Sequence, residues 1–518
     1  MGIALDKLTP AQLDTYLHWQ ATIDRQAEQA DKVLSLRAYY DGDMPVLLTR
    51  RQREFIGDLL EGNEFPFSHN VTRSVIDTLR ERLSVTGIAV QEEAANNNAE
   101  NPVSVAMWQW WEKSRLDARQ IRLYRRALRD GLAYVIVDFD NEMQRPRFSL
   151  HHIDAGDQEP GVMLHRDPED ENRALFACRY WRTAINPLNP GDSGRERKTV
   201  YLPNEIRKYI RNGDSSGPPW VPIADPEDNG VWPLPWVDRF GKPLGIPVIE
   251  FANPGGSEVE QIIGLQNALN KTWLDIIAAA DTSGFPVVVV AYNSNGVPMS
   301  ASQDDPDSEG ADELRLSPGR LLEVNDANVT RLEAANLAPM IDTMWTIVQA
   351  VSGVSRTPTY YLRPVGGSDV PSGEALKQLE SGLVRRAQER QLVFGQSWQD
   401  VFVLAYKVNQ AFGVSLPDIP DPTVVVTWAD ANVRNELADA QTAEAHQRLG
   451  VPGDQLWREL GYTPEQIEQF KAGQLAEQQA KVAAVAAAMR VTQTAGAQQS
   501  GGNNNNGVQN QGQSQGQG

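Results

Sequence analysis

From Ser372 to Phe412 the chain reads SGEALKQLESGLVRRAQERQLVFGQSWQDVFVLAYKVNQAF, one uninterrupted helical pattern. At the α-helical rise such a rod is on the order of 60 Å long, well beyond the usual globular helix. Leu376, Leu379, Leu383, Ala387, Phe394, Trp398, Val401 and Ala405 recur near a 3–4 spacing. That spacing marks one apolar stripe, whose default use is core packing. The stripe covers more helix than one chain obviously buries, which makes self-association a plausible use of the remainder. Gly382 and Gly395 mark points where the rod can bend. A Pro/Gly-rich loop over 353–371 (GVSRTPTYYLRPVGGSDVP) feeds directly into the rod. Neither segment carries a catalytic motif or metal-ligand spacing. A mobile loop mounted on a long two-faced rod suits a mechanical part of an assembly.

Composition narrows the choice. The chain has 518 residues, enough for about two to four domains. Against 48 basic residues stand 68 acidic ones, a net charge of −20. Proteins that hold DNA tightly neutralise its phosphates with Lys and Arg, and this chain does the opposite. This balance argues against stable wrapping of nucleic acid and leaves room for transient contact along a repelling wall. The single cysteine, Cys178, allows no intramolecular disulfide, fits a reducing compartment and reads as a small buried apolar residue. No signal pattern opens the chain, and no apolar run approaches the roughly 20 residues of a membrane helix.

The patterning predicts an α+β protein, mainly helical. Helices are expected over 1–60, broken by a turn at 41–45, and over a segment carrying Val71, Val75, Leu79 and Leu83 on one face. One helix is expected over 103–131, with Trp108, Trp110 and Trp111 as packing residues. Strands are expected at 85–90, 134–139, 147–151, 174–181, 199–202, 247–251 and 423–428. The Pro/Gly/Trp-rich stretch 211–247 reads as irregular. Ser257 and Glu260 form a Ser-x-x-Glu pattern, predicting a capping box at the start of a helix that Gly284 and Pro286 end. Strands at 286–292 and 320–324 flank an acidic loop, and a helix over 336–352 follows. Two helices thus enclose a small β excursion. Further helices are expected over 432–449 and from Thr463, and 491–518 is a Gly/Gln/Asn tail expected to be disordered.

Local motifs yield little chemistry. Gly191-Asp192-Ser193-Gly194 has the look of a serine nucleophile but reads better as a turn. Asp305-x-Asp307-x-Glu309-Gly310 begins like a calcium loop, yet its twelfth position is Leu316 rather than Glu. His151-His152-x-Asp154 offers metal ligands in a chain with only six His, and reads better as a hydrogen-bonded strand end. No phosphate-binding P-loop occurs, and no cofactor is indicated. Arg115, Arg119, Arg122, Arg126 and Arg129 fall at steps of four and three on one predicted helix face. Three readings remain open for them: a solvated face with local ion pairs, a phosphate or acidic-partner contact, or a contact between subunits.

The order of these parts resembles the portal proteins of tailed bacteriophages, the siphophage-type family, over roughly residues 20–475. The similarity is carried by Asn70 to Leu79 (NVTRSVIDTL), Asp130 to Val137 (DGLAYVIV) and Gly245 to Phe251 (GIPVIEF). It continues through Ser257 to Asp275, Thr357-Pro358, Ser372 to Lys377 (SGEALK) and Phe394 to Trp398 (FGQSW). The resemblance implies a ring, typically of twelve copies, at one capsid vertex of a virion assembled in the host cytoplasm. Double-stranded DNA passes through such a ring during packaging and ejection. It implies a wing (1–256 with 423–428), stem helices (257–282 and 336–352), a clip (283–330), a tunnel loop (353–371), a spine helix (372–412) and a crown (432–490). Implied partners are the terminase large subunit, the major capsid protein and a head-completion adaptor, with no membrane and no enzymatic activity. Arg356, Tyr360, Tyr361 and Arg363 become the candidates for light contact with DNA or with a neighbouring subunit. Alternatives are another minor virion structural protein, or a hydrolase built on Ser193 or on His151 and His152.

Overall fold

The computed structural model describes residues 5–24, 27–44, 50, 68–91, 101–156, 159–183, 194–212, 219–224, 230–284, 288–292, 327–331, 336–363, 373–414, 416–420 and 422–432, with scattered positions between 448 and 481. The Ser193 motif, the acidic loop at 305–310, the strand expected at 320–324, the Gly366-Gly367 segment, most of the helix expected at 432–449, the start of the one expected from Thr463, and the tail from 491 lie outside the described residues. The chain divides into two units, Met1–Val433 and Arg434–Gly518. In the second, residues 470–475 and 477–481 are helical.

The first unit mixes helix and sheet. Helices α1 (Pro10–Asp24), α2 (Ala27–Asp41) and α3 (Val71–Arg80) precede strand β1 (Val85–Val90). Asn70 caps α3 by accepting from the Arg73 N–H at 3.1 Å. Where one helix is expected over 103–131 there are two, α4 (Pro102–Lys113) and α5 (Leu116–Asp130). Arg115 between them adopts a left-handed backbone (φ 52°), which breaks the helix and buries Leu116 completely.

Strands β2 (Leu132–Asp140), β3 (Arg145–Ile153), β4 (Gly161–Asp167), β5 (Asp170–Arg182), β6 (Glu196–Tyr201), β7 (Glu205–Arg211), β8 (Trp220–Pro222), β9 (Leu234–Pro235) and β10 (Val248–Ala252) form one nine-stranded sheet. Its order is β10-β2-β3-β4-β5-β6-β7-β8, with β9 also on β7. The pairing is antiparallel except for a two-residue parallel contact between β3 and β4. Thus 211–247 is not wholly irregular, because β8 and β9 extend the sheet across it.

Helix α6 (Ile263–Gly284) leads to a hairpin of β11 (Val288–Tyr292) and β12 (Ala327–Arg331), and α7 (Ala338–Ser355) returns. The partner of the first hairpin strand is 327–331, which had no strand signal. After the four-residue helix α8 (Thr359–Leu362) comes α9 (Gly373–Phe412), unbroken over 40 residues. Strand β13 (Val424–Trp428) then pairs antiparallel with β1 from the far side of α9 in the sequence.

The predicted capping box does not form. Residues 260–262 make a 3₁₀ turn, and Glu260 pairs with Lys32 at 2.9 Å. Ser257 serves two helix ends: its oxygen accepts from the Val259 N–H at 3.1 Å, and its hydroxyl donates to the Arg129 carbonyl. The Asn253 and Glu258 N–H groups donate to the Gly131 and Leu128 carbonyls, each at 2.9 Å. The turn before α6 therefore satisfies the orphan carbonyls at the end of α5. Gly131 permits the approach: its φ is +87°, and a Cβ there would lie 3.2 Å from the Ser257 nitrogen.

The main core lies where α9 crosses β2, β3 and β10. Trp398 is fully buried, with its ring 5.0 Å from those of Trp111 and Phe251 and its indole N–H donating to the Tyr124 hydroxyl at 2.8 Å. Tyr124 stacks on Phe394 at 5.6 Å. Gly395 does not mark a break; it lets the Trp428 indole come within 3.1 Å of where a Cβ would stand. From Leu383 to Ala405 the apolar stripe is covered by its own chain, and only Leu379 among its described side chains is open, at 54%. Self-association is not needed to bury it. Two satellite cores complete the unit: α1 (Leu13, Leu17, Ala21) on β5–β8, and α6 with α7, α3 and Leu362.

The His151-His152 pair ends β3. Neighbouring strand residues face opposite sides, so the two imidazoles cannot converge on one ion. His152 accepts from Arg37 at 2.8 Å and pairs with Glu159 at 3.0 Å. Burial, then Arg179, Arg126 and His152, push His151 down to about 3. Burial and Lys198 push His18 down to about 4.

Two outcomes follow. Trp398→Ala removes the centre of the main core and should cost about 3–5 kcal/mol in denaturant unfolding. Both histidines are depressed below their unfolded value of 6.5, so the folded state binds fewer protons between that pH and their folded values. Their contribution is complete above pH 6.5 and is lost as pH falls towards about 4 and then 3. Thermal unfolding midpoints should fall through that window, and His151→Gln should make the fall shallower.

Candidate functional site

The segment joining α7 to α9 is more ordered at its start than a mobile loop. Helix α7 runs on through Gly353 to Ser355, so the connection begins only at Arg356, whose left-handed backbone (φ 50°) ends the helix. The Ser352 hydroxyl donates to the Thr357 carbonyl at 2.7 Å and lies 3.0 Å from Thr359 Oγ1, folding the chain back on α7. Thr357, Pro358 and Leu362 are buried, and α8 occupies 359–362.

Four candidate DNA-facing residues lie here, and their environments differ. The Tyr360 hydroxyl donates to the Glu380 carboxylate of α9, and Tyr361 donates to the same oxygen at 3.0 Å. Arg82 donates to the Tyr361 hydroxyl at 2.8 Å and pairs with Glu380 at 3.3 Å. Burial and the Glu380 hydrogen bond raise the Tyr360 hydroxyl far above its ordinary value, keeping it a donor. Both tyrosines are thus drawn inward to a carboxylate that is 5% exposed. Arg356 and Arg363 are exposed. The Arg363 guanidinium stacks on Trp345 of α7 at 4.2 Å, a cation–π contact that holds it near the helix surface. Arg356 lies against α9 where Gly382 leaves room, 3.5 Å from a Cβ built there.

The five-arginine pattern is divided rather than continuous. Arg119 donates to the Ser114 and Phe148 carbonyls at 3.2 and 2.9 Å, and Arg126 to the Leu150 carbonyl at 2.9 Å. Phe148 and Leu150 are two apart on β3, so their carbonyls face the same edge, beyond its short pairing with β4. Arginines from α5 occupy that edge. Arg129 forks onto Asp130 at 2.6 and 2.9 Å. Arg115 lies outside the helix, and it and Arg122 are exposed. The five therefore do not form one open cationic face.

Motif reading missed the residues that anchor this region. Arg386 and Arg390 of α9 both pair with Glu258, the latter at 2.8 Å. Asn253 donates to Glu258 at 3.1 Å, and Arg390 donates to Asn253 at 3.2 Å and to the Pro254 carbonyl at 3.3 Å. Glu258, Arg386 and Arg390 are 2%, 6% and 5% exposed. Two cations on one buried carboxylate, with backbone acceptors added, offset the desolvation cost that an isolated pair cannot. A sequence signal did exist: Glu380, Arg386 and Arg390 interrupt or border the apolar stripe of α9. The node ties the rod to the turn that launches α6, while Glu380 ties it to the end of α7. Both ends of the α6–α7 excursion are therefore fixed to one helix. The arrangement positions backbone and presents two exposed guanidinium groups.

Comparison with known proteins agrees with a mechanical role. A family model described as phage portal protein, SPP1 Gp6-like, matches residues 20–480. The portal protein of Mycobacterium phage D29 is 23% identical over 419 residues, which span 77% of each chain. The portal protein of Mycobacterium phage L5 is 22% identical over 468 residues, spanning 86% of this chain and 85% of its own. This chain therefore belongs to the SPP1 Gp6-like phage portal proteins, structural rather than enzymatic components of the virion that serve genome packaging as a head–tail connector.

Proposed function

We propose that the chain assembles into a closed ring, a dodecamer in the capsid, through which double-stranded DNA is packaged, retained and ejected at one vertex. The observation that carries this reading is the double anchoring of the α6–α7 excursion on α9, through Glu258 with Arg386 and Arg390 and through Glu380 with Tyr360 and Tyr361. A conduit that DNA is forced through needs its lining segment held by something rigid. In the family's terms, 1–256 with 423–428 is the wing, and α6 and α7 are the stem. The excursion over 283–330 is the clip, 353–371 the tunnel loop, α9 the spine and 432–490 the crown. The clip is the docking place for the terminase large subunit and later for the head-completion adaptor, and the major capsid protein surrounds the ring.

The acidic balance supports transient rather than tight contact with DNA: phosphates meet few free cations and slide. Arg356 and Arg363 are the groups proposed to touch the backbone. Tyr360 and Tyr361 are proposed to hold the lining in place. Arg115 and Arg122 are proposed as a small contact between neighbouring subunits.

Purified protein should appear in negative stain as rings with a central hole; monomers alone at high concentration would overturn the proposal. Arg356→Ala with Arg363→Ala should leave rings intact while lowering the yield of DNA-filled particles in a complementation assay. Glu380→Ala removes the acceptor of two tyrosine hydroxyls and the carboxylate beside Arg82, at a cost of about 1–3 kcal/mol. Hydrogen exchange should then accelerate over 356–362, with the core of α9 from 394 to 405 unchanged.

A further inference from the structure

Three side chains of metal-ligating type converge away from the anchoring nodes, in the small core under α1. Asp24 is the last residue of α1, His165 lies on β4 and Cys178 on β5. One ligand atom from each lies within 4.8 Å of the others. His165 Nε2 is 3.1 Å from Asp24 Oδ2. Tetrahedral zinc, with bonds of about 2.0–2.1 Å to nitrogen and oxygen, places two such ligands about 3.3 Å apart and a thiolate slightly farther. The Asp24–His165 spacing is close to that, and Cys178 Sγ lies within 4.8 Å of both.

The surroundings also fit. Asp24 is 4% exposed and Cys178 is fully buried. The Phe176 ring stacks on His165 at 4.4 Å and fixes the imidazole plane. The Tyr180 hydroxyl donates to Asp24 Oδ2 at 2.7 Å, orienting the carboxylate. The neighbouring cation, Lys198, is turned aside: it donates to the Leu17 carbonyl at 3.3 Å, contacts His18 Nδ1 at 3.0 Å and lies over the Tyr209 and Trp220 rings. A thiol, an imidazole and a carboxylate form a mixed donor set that suits zinc better than calcium or magnesium.

We propose that Asp24, His165 and Cys178 form a structural zinc site that staples the end of α1 to β4 and β5. On binding, the Cys178 S–H proton leaves to solvent and the thiolate takes its place on the metal. The role of the site is to hold α1 on the sheet.

The test is zinc content of the full-length protein, purified with zinc present and dialysed into chelator-free buffer. Wild type should retain about one zinc per chain, and Cys178→Ser and His165→Gln should retain less than about a tenth. Tyr180→Phe should weaken affinity about 10–100-fold. Cobalt substitution should give a thiolate charge-transfer band that Cys178→Ser removes. Should a variant fail to fold, wild type alone decides: chelator should lower its melting temperature and zinc should restore it. A metal-free wild type whose melting ignores both chelator and zinc would overturn the site. Equal zinc in wild type and folded variants would overturn it too, since the ion would then lie elsewhere.

Discussion

The buried carboxylate of Glu258, shared by Arg386 and Arg390, is the interaction on which the rest of this unit depends. It sits where three constructions meet: the end of α5, the turn over 253–258 and the middle of the long helix. A buried charge without partners is very costly, so this one is tolerated only with both guanidinium groups in place. That requirement fixes the rotation and register of α9 on the turn. The aromatic packing of Phe394 and Trp398, one and two turns further along, then follows from the same helix phase.

A second carboxylate on the same rod repeats the logic at the other side of the excursion. Glu380 gathers Tyr360, Tyr361 and Arg82, bringing the end of α7 and the end of α3 to α9. Helices α6 and α7 leave from and return to one rigid element. The portal role assigned by family membership asks for such stiffness, because force on a segment near DNA has to be carried by packed structure. The proposed division follows from exposure: inward tyrosines hold, and the outward Arg356 and Arg363 touch.

Several parts were legible from residues alone because their signals are local. The rod over 372–412 was found within one residue, since helical periodicity sustained over 40 residues has no competing reading. The strands at 85–90 and 423–428 were recognised from their β-branched runs, though not their pairing across more than 300 residues of chain. Other parts failed for physical reasons. The break at Arg115 is a single left-handed residue, forced by where Leu116 must bury. Ser257 has the spacing of a capping box and does accept from Val259, but Glu260 turns to Lys32 and the Ser257 hydroxyl to the end of α5. The weak strands at 205–211, 220–222 and 234–235 exist because the sheet edge beside them offers hydrogen bonds.

By itself, the order of residues determined the element types, the length of the rod, the acidic balance and, through resemblance, the portal family. Those properties depend on local periodicity and composition, which are written along the chain. The tertiary structure alone decided which charges are available. Arg119, Arg126 and Arg129 look equivalent to Arg122 in sequence, yet β3 carbonyls and Asp130 consume the first three. Tyr360 and Tyr361 look like an aromatic surface, yet one carboxylate nineteen and twenty residues away turns both inward. Burial and pairing depend on what lies nearby in space, and for each of these side chains the deciding neighbour lies on another element or in the fold of the helix end.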